Sequence, residues 1–288
     1  MKKAFFVGLL VLAGLTAQAQ VKVVPKLTDG FTAIYVMNTN NTTSEKKYVV
    51  SNVTNTDAII TVTELGMSAD TTSNGNSVHA AHLNNGIMNG IGIQLRTATD
   101  GHILEIFNAD DVKARVKEAA NRIVNKMLVS NHNPDNLFSE MQQLDRITEH
   151  VMEEGFFNKY VNDVVLSLNG KTISEGMTEV VTMLGMKMKR QYTLNDKDIV
   201  VTLTPDMGDD ELKAYIIQKM EQLMPDNVEM VKANIDMLLP QLKEQFGFTS
   251  QSTYELSDDG WVKSVKVESE QSMMGQSSKQ EAVITRIK

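Results

Sequence analysis

Residues 253–270 read TYELSDDGWVKSVKVESE and carry the chain's one tryptophan, Trp261. Ser257-Asp258-Asp259-Gly260 is a turn signal: Asp bonds its own backbone, and Gly260 accepts positive φ at no steric cost. β-branched and aromatic residues flank the turn, so the stretch reads as an antiparallel hairpin. In its second strand Trp261, Lys263, Val265 and Val267 alternate with Val262, Ser264, Lys266 and Glu268, the pattern of a strand buried on one side. Tyr254 and Leu256 share a face of the first strand. Trp261 and Tyr254 therefore point inward, either into a packed core or into the wall of an apolar cavity.

The same pattern recurs outward from this hairpin. FTAIYVMN (31–38), KKYVVSNV (46–53) and AIITVTEL (58–65) read as strands, and GIGIQLRT (90–97) with HILEIFN (102–108) reads as a hairpin around Asp100-Gly101. KYVNDVVLSLNG (159–170), EVVTMLGMKMKRQYTL (179–194) and DIVVTLT (198–204) are further expected strands, and the chain closes with strands near 248–256, 261–269 and 280–287. Residues 66–90 form a polar, Gly/Asn/Ser-rich loop, expected to be mobile.

Two stretches switch to helical spacing. Val112, Val116, Ala119, Ile123 and Met127 define one helix face, with acidic residues at its start that suit the helix dipole. A second helix opens at Pro134, carries Leu137, Met141, Leu144, Thr148 and Val151 on one face, and is expected to end in a left-handed cap at Gly155. The second pair presents Leu212, Ile216, Met220 and Leu223, then Val228, Val231, Ile235, Leu238 and Leu242, with Pro240 expected to kink or shorten the last helix. Both pairs have an acidic start, Pro-Asp-Asn opening the second helix, and Gly-Phe after it. This pattern reads either as an internal duplication (about 90–157 and 180–256) or as ordinary cap and stop signals.

Short turns between strands imply antiparallel pairing, and helices grouped between strand blocks imply the α+β class. About ten or eleven strands are many for one open sheet, which tends to curl. The expected architecture is a large curved antiparallel sheet, half-barrel-like, with two helical hairpins packed on its concave face, as a single domain over residues 20–288.

Residues 1–19 read as an address. Lys2 and Lys3 precede an apolar run from Ala4 to Leu15 and the small-residue site Ala17-Gln18-Ala19, a secretory signal peptide cleaved after Ala19. The run is too short to span a bilayer, which takes about 20 apolar residues, and no later stretch is longer. The expected location is periplasmic or secreted. Cleavage removes two of the 28 basic residues and none of the 36 acidic ones, leaving a net charge of −10. That balance argues against nucleic acid and anionic membrane surfaces as partners. With no cysteine, disulfides, thiol chemistry and a cysteine-linked lipid anchor are all excluded.

Familiar catalytic signatures are absent from the sequence: no G-x-S-x-G, no H-E-x-x-H and no P-loop. Gly90-Ile91-Gly92 is not a dinucleotide fingerprint. His79 and His82 form a lone H-x-x-H, short of the three or four ligands a zinc site needs. Asp206 to Glu211 (DMGDDE) lacks the spaced ligands of an EF-hand. No cofactor, no metal and no catalysis are expected.

Eighteen methionines are many. Met183, Met186, Met188, Met220, Met224, Met230 and Met237 fall on segments that would face one another, and methionine suits surfaces that accept variable apolar partners or fills gaps in a core. The candidate ligand-lining set is Tyr254, Trp261, Val265, Met183, Met186, Met188, Met220 and Met224. The order of strands, helical insert, strands, helical insert and strands, with hairpins like YELSDDGWVKSVKVES, resembles periplasmic lipoprotein- and lipid-carrier half-barrels. It is also similar to exported families of Bacteroides-type bacteria, as is the Ala-Gln-Ala-Gln ending of the signal segment. The likeness is one of layout, and the carriers have one helical arrangement where this chain has two. It implies a hydrophobic cavity between sheet and helices and no catalysis. Three readings follow: a soluble exported binding protein for an apolar small molecule or lipid, a structural or interaction module of the cell envelope with a solid core and an envelope-protein partner, and a hydrolase with an unrecognised carboxylate or histidine site.

Overall fold

The computed structural model describes residues 20–40, 42–69, 86–129, 134–183, 186–196, 198–223, 228–245, 247–273 and 276–288. Residues 1–19, read above as a signal peptide, and His79 and His82 lie outside them.

β1 (Gln20–Lys22) pairs with β7 (Thr172–Ser174) in a small separate sheet. The other eleven described strands form one antiparallel sheet that does not close. β2 (Thr32–Thr39), β3 (Thr42–Ser51), β4 (Asp57–Ala69), β5 (Gly92–Ala98) and β6 (Ile103–Ile106) walk as a meander to one edge. β8 (Thr178–Met183), β9 (Met186–Asn195), β10 (Asp198–Pro205), β11 (Gly247–Leu256), β12 (Val262–Met273) and β13 (Gln276–Arg286) walk inward from the other edge. The two meanders join where β13 pairs with β2, Ile284 opposite Met37 and Arg286 opposite Tyr35. Every neighbour pair in the sheet is antiparallel, as short connections require. The fold is mixed, a large open antiparallel sheet with helices.

Two helices follow the first meander: α1 (Ala109–Val129), with Asp110 and Asp111 in its first turn, and α2 (Pro134–Met152). A 3-10 turn (Glu154–Phe157) and α3 (Asn158–Val161) come next. The second pair, α4 (Asp209–Leu223) and α5 (Val228–Gln245), lies between β10 and β11.

The principal core is built on the period of two expected for strands buried on one face. Ala58, Ile60 and Val62 of β4 join Ile93 and Leu95 of β5, Tyr48 and Val50 of β3, and Ala33 and Tyr35 of β2. Val112, Val116 and Ala120 of α1, Leu144 and Val151 of α2, and Phe156, Phe157 and Tyr160 belong to that same core. No described residue of α4 or α5 belongs to it. Their described buried side chains are Leu212, Ile235 and Leu239.

Several expectations are corrected. Residues 159–170 are not a strand but α3 followed by turns, even though Val165, Leu166 and Leu168 are buried. The Asp163 side chain accepts the Val165 N–H, and the Leu166 and Asn169 N–H groups bond back three residues. These local bonds outcompete β-propensity. Residues 179–194 form two strands, β8 and β9, paired with Met183 opposite Met186. In the expected loop 66–90, β4 runs on to Ala69 and Ile87 and Met88 are buried, while 70–85 lie outside the described residues. α2 ends at Met152, and Gly155 falls in the 3-10 turn with no positive φ. α5 runs through Pro240 to Gln245.

Candidate functional site

The hairpin of β11 and β12 explains where Trp261 goes. Gly260, at φ 75°, closes the turn, and the Asp259 carboxylate accepts the Trp261 N–H at 3.1 Å and Arg286 Nη1 at 2.8 Å. A bulge lies just beyond: Leu256 pairs with Val262 and Glu255 with Ser264, leaving Lys263 as the extra residue. The bulge resets the alternation, so Val262 and Val265 are buried while Lys263 turns out to meet Glu255 at 2.6 Å. Lys263 therefore does not share the inward face assigned to it from sequence.

Trp261 is 1% exposed, stacks on Phe31 at 5.0 Å between centroids, and donates its indole N–H to the Lys26 carbonyl at 3.2 Å. Tyr254 lies opposite Val265, both buried, and its hydroxyl hydrogen-bonds with Ser167 Oγ at 3.2 Å. All three side chains fill the principal core.

The methionines gather elsewhere. Met186 and Met188 are buried with Leu203, and Val181, Met183, Met207, Tyr215 and Phe248 pack against them. Met183 and Met186 are cross-strand partners, as are Val181 and Met188, so four side chains from β8 and β9 share one face. The structure thus brings Met183, Met186 and Met188 together, apart from Tyr254, Trp261 and Val265. The Met220 side chain and Met224 lie outside the described residues. Met230 and Met237 are exposed on α5 and do not join the cluster.

Against this methionine cluster lies a cleft of about 500 Å³, open to solvent and lined by Thr182, Lys187, Met207, Glu211, Ala214, Tyr215 and Gln218. One wall is the β8–β9 hairpin and the other is α4. Glu211 Oε2 accepts the Gly208 N–H at 3.0 Å, capping the helix, while Oε1 meets Lys187 at 3.4 Å across the cleft. Burial raises the Tyr215 phenol above its ordinary range. Met207 and Tyr215 contact both the cleft and the cluster behind it, giving a mostly apolar trough with one ion pair at its margin.

Sequence reading missed a buried polar group. Asp163, 3% exposed, accepts Lys46 Nζ at 2.8 Å, Tyr48 Oη–H at 2.9 Å and the Val165 N–H at 3.0 Å. A bulge after Glu45 sets Lys46 opposite Glu64, which accepts the Tyr160 hydroxyl at 2.9 Å and meets Lys159 at 3.5 Å. Burial, then the Asp163 charge, pushes the Tyr48 phenol well up. Burial works against the Lys46 charge, but Asp163 outweighs it and the pKa rises. The only sequence trace of this network is one acid inside an apolar run, YVNDVVLSL. Beside it lies a space of only about 30 Å³, roughly one water molecule. The arrangement fastens the 162–170 turns to β3.

A second network surrounds Glu179, whose Oε1 accepts Lys171 Nζ at 2.6 Å, Tyr192 Oη–H at 2.6 Å and Arg190 Nη1 at 2.8 Å. Burial alone would raise this carboxyl, but the three hydrogen bonds outweigh burial and hold it at about 2. Among the described residues no three His, Asp or Glu side chains converge as a metal site, and no helix is long and apolar enough to cross a membrane. The chain matches no protein-family model and no curated protein sequence.

Proposed function

We propose that the chain is a non-enzymatic exported binding protein that holds an apolar small molecule or lipid tail between its sheet and its second helical pair. The observation that carries the reading is the cleft between β8–β9 and α4, backed by Met183, Met186, Met188 and Leu203. Its volume of about 500 Å³ falls in the range of small-molecule sites, and Met207 in its lining is a side chain that adapts to different chain shapes. On this reading the eleven-stranded sheet curls as a half-barrel with helices over its concave side, like the lipoprotein and lipid carriers it resembles in layout. The signal segment, cleaved after Ala19, would deliver the protein to the periplasm or beyond. Native mass spectrometry of the purified mature chain tests the proposal. Retained lipid, or uptake of a fatty-acyl probe, supports it; a bare chain that takes up no probe overturns it.

One observation favours a second reading, an envelope structural or interaction module. The core around Trp261 and Tyr254 is filled, and the space nearest Tyr35 and Tyr48 is about 30 Å³. A bare chain that instead co-purifies with an envelope protein from its own cells would select that reading.

A further inference from the structure

A third concavity, of about 180 Å³, shares no lining residue with the apolar cleft. Its wall includes His102, Asn162, Ser167, Asn169, Lys171 and Arg190. Gly170, between Asn169 and Lys171 of this wall, has φ 76°, and a side chain there would collide with His102 and the Asp100 carboxylate, so glycine lets the backbone approach closely.

Two donors in this wall have no partner. Asn169 is 4% exposed and its Nδ2 is buried without a hydrogen bond; Arg190 Nε is buried likewise. Buried donors left unmade are costly and rare. Around them, Lys171 and Arg190 share one carboxylate oxygen, Glu179 Oε1, at 2.6 and 2.8 Å. The nearby Asp100 carboxylate already accepts the His102 backbone N–H at 3.1 Å. The Asn162 amide donates to the Asn158 carbonyl, and Ser167 Oγ donates to the Val164 carbonyl. The wall therefore holds two unmade donors next to two cations that share one carboxylate oxygen.

We propose that this pocket binds a small oxyanion, a carboxylate or phosphate group, with the Arg190 Nε–H and the Asn169 amide as its donors and Lys171 and Arg190 as its countercharge. Guanidinium donors and planar or tetrahedral oxyanions match in geometry, and charge-assisted bonds of this kind are the strong ones. The inference does not depend on the apolar cleft, and either can fail without the other.

The test is a titration of the ¹⁵N-labelled mature chain with inorganic phosphate, acetate and a short-chain phosphatidic acid, each matched against chloride at equal ionic strength. The expected result is saturable shifts of the Arg190 Nε–H and Asn169 amide signals, with a Kd of about 5 mM or tighter. Saturation by free phosphate or acetate identifies a soluble anion, and saturation by phosphatidic acid alone identifies a lipid headgroup. Asn169→Leu should weaken binding about tenfold or more while leaving the far-UV spectrum unchanged. Shifts that merely follow chloride up to about 50 mM, or an unchanged titration in a folded Asn169→Leu chain, would overturn the proposal and assign the two donors to bound water.

Discussion

Replacing Asp163 by alanine should be among the most damaging single changes outside the hydrophobic core. The carboxylate accepts three hydrogen bonds, from Lys46 Nζ, Tyr48 Oη–H and the Val165 N–H. The two neutral donors contribute about 1 kcal/mol each and the charged one about 1.5–3. Tyr48 is 1% exposed and would be left with a buried unmet hydroxyl, whereas the Lys46 side chain is 30% exposed and can turn to water. Allowing for that relief, Asp163→Ala should cost about 3 kcal/mol. Asp163→Asn keeps the shape and the neutral bonds, loses the charge, and should cost about 1–2 kcal/mol. For a domain of this size about 3 kcal/mol is a fall in Tm of about 6–12 °C. Urea unfolding followed by far-UV circular dichroism reads both variants, with an unchanged m-value showing that stability alone has moved. An Asp163→Ala chain within about 0.5 kcal/mol of the parent would show that the network does not hold the 162–170 turns in place.

The remaining predictions concern acid stability, the turn at Gly260 and the tryptophan. Glu179 titrates at about 2 in the folded chain against an ordinary 4.5, so its stabilisation is complete above 4.5 and is lost as pH falls toward 2. Glu179→Gln should flatten stability over that window in acid titrations monitored by circular dichroism; an unaltered acid limb would refute the link. At Gly260 a β-carbon would strike the Val24 carbonyl oxygen, and φ is 75°, so Gly260→Ala should lose about 3 kcal/mol in urea unfolding. Trp261→Ala should cost about 3–5 kcal/mol. In the parent chain Trp261 emission should be blue-shifted and indifferent to acyl ligands, because Trp261 does not line the cleft; a ligand-dependent shift would contradict that placement.

Most strands were legible because one-sided burial writes itself as alternation, as in Ala58, Ile60 and Val62 or Ile93 and Leu95. Helix positions were legible for the same reason at a longer period, helped by the acidic starts of α1 and α4. Segment 159–170 was misread because β-branched composition is a statement about burial as much as about strands, and here Asp163 diverts the backbone into turns. β-bulges were invisible too. The extra residue at Lys263 turned Val262 inward and Lys263 outward, against the alternation, while Trp261 and Val265 kept their inward facing, and no composition signal marks such a slip. Part of the candidate site could be read: Met183, Met186 and Met188 do gather. Their separation from Trp261, Tyr254 and Val265 could not, since it depends on which strands end up beside which helices. The Glu179 and Asp163 networks join residues distant in sequence, and spacing alone does not reveal such partners.

The cleft between β8–β9 and α4 is tested most directly by photo-crosslinking with a photoactivatable fatty-acyl probe, the adducts mapped by peptide mass spectrometry in the parent chain and in Ala214→Trp. Ala214 is an exposed residue of the cleft wall, so an indole there fills the trough without disturbing a core. Adducts concentrated on peptides containing Thr182, Met207, Tyr215 or Gln218, and lost in Ala214→Trp with Tm unchanged, are the predicted result. Adducts spread over the surface, or undiminished by Ala214→Trp, would contradict an apolar site at this place in the fold.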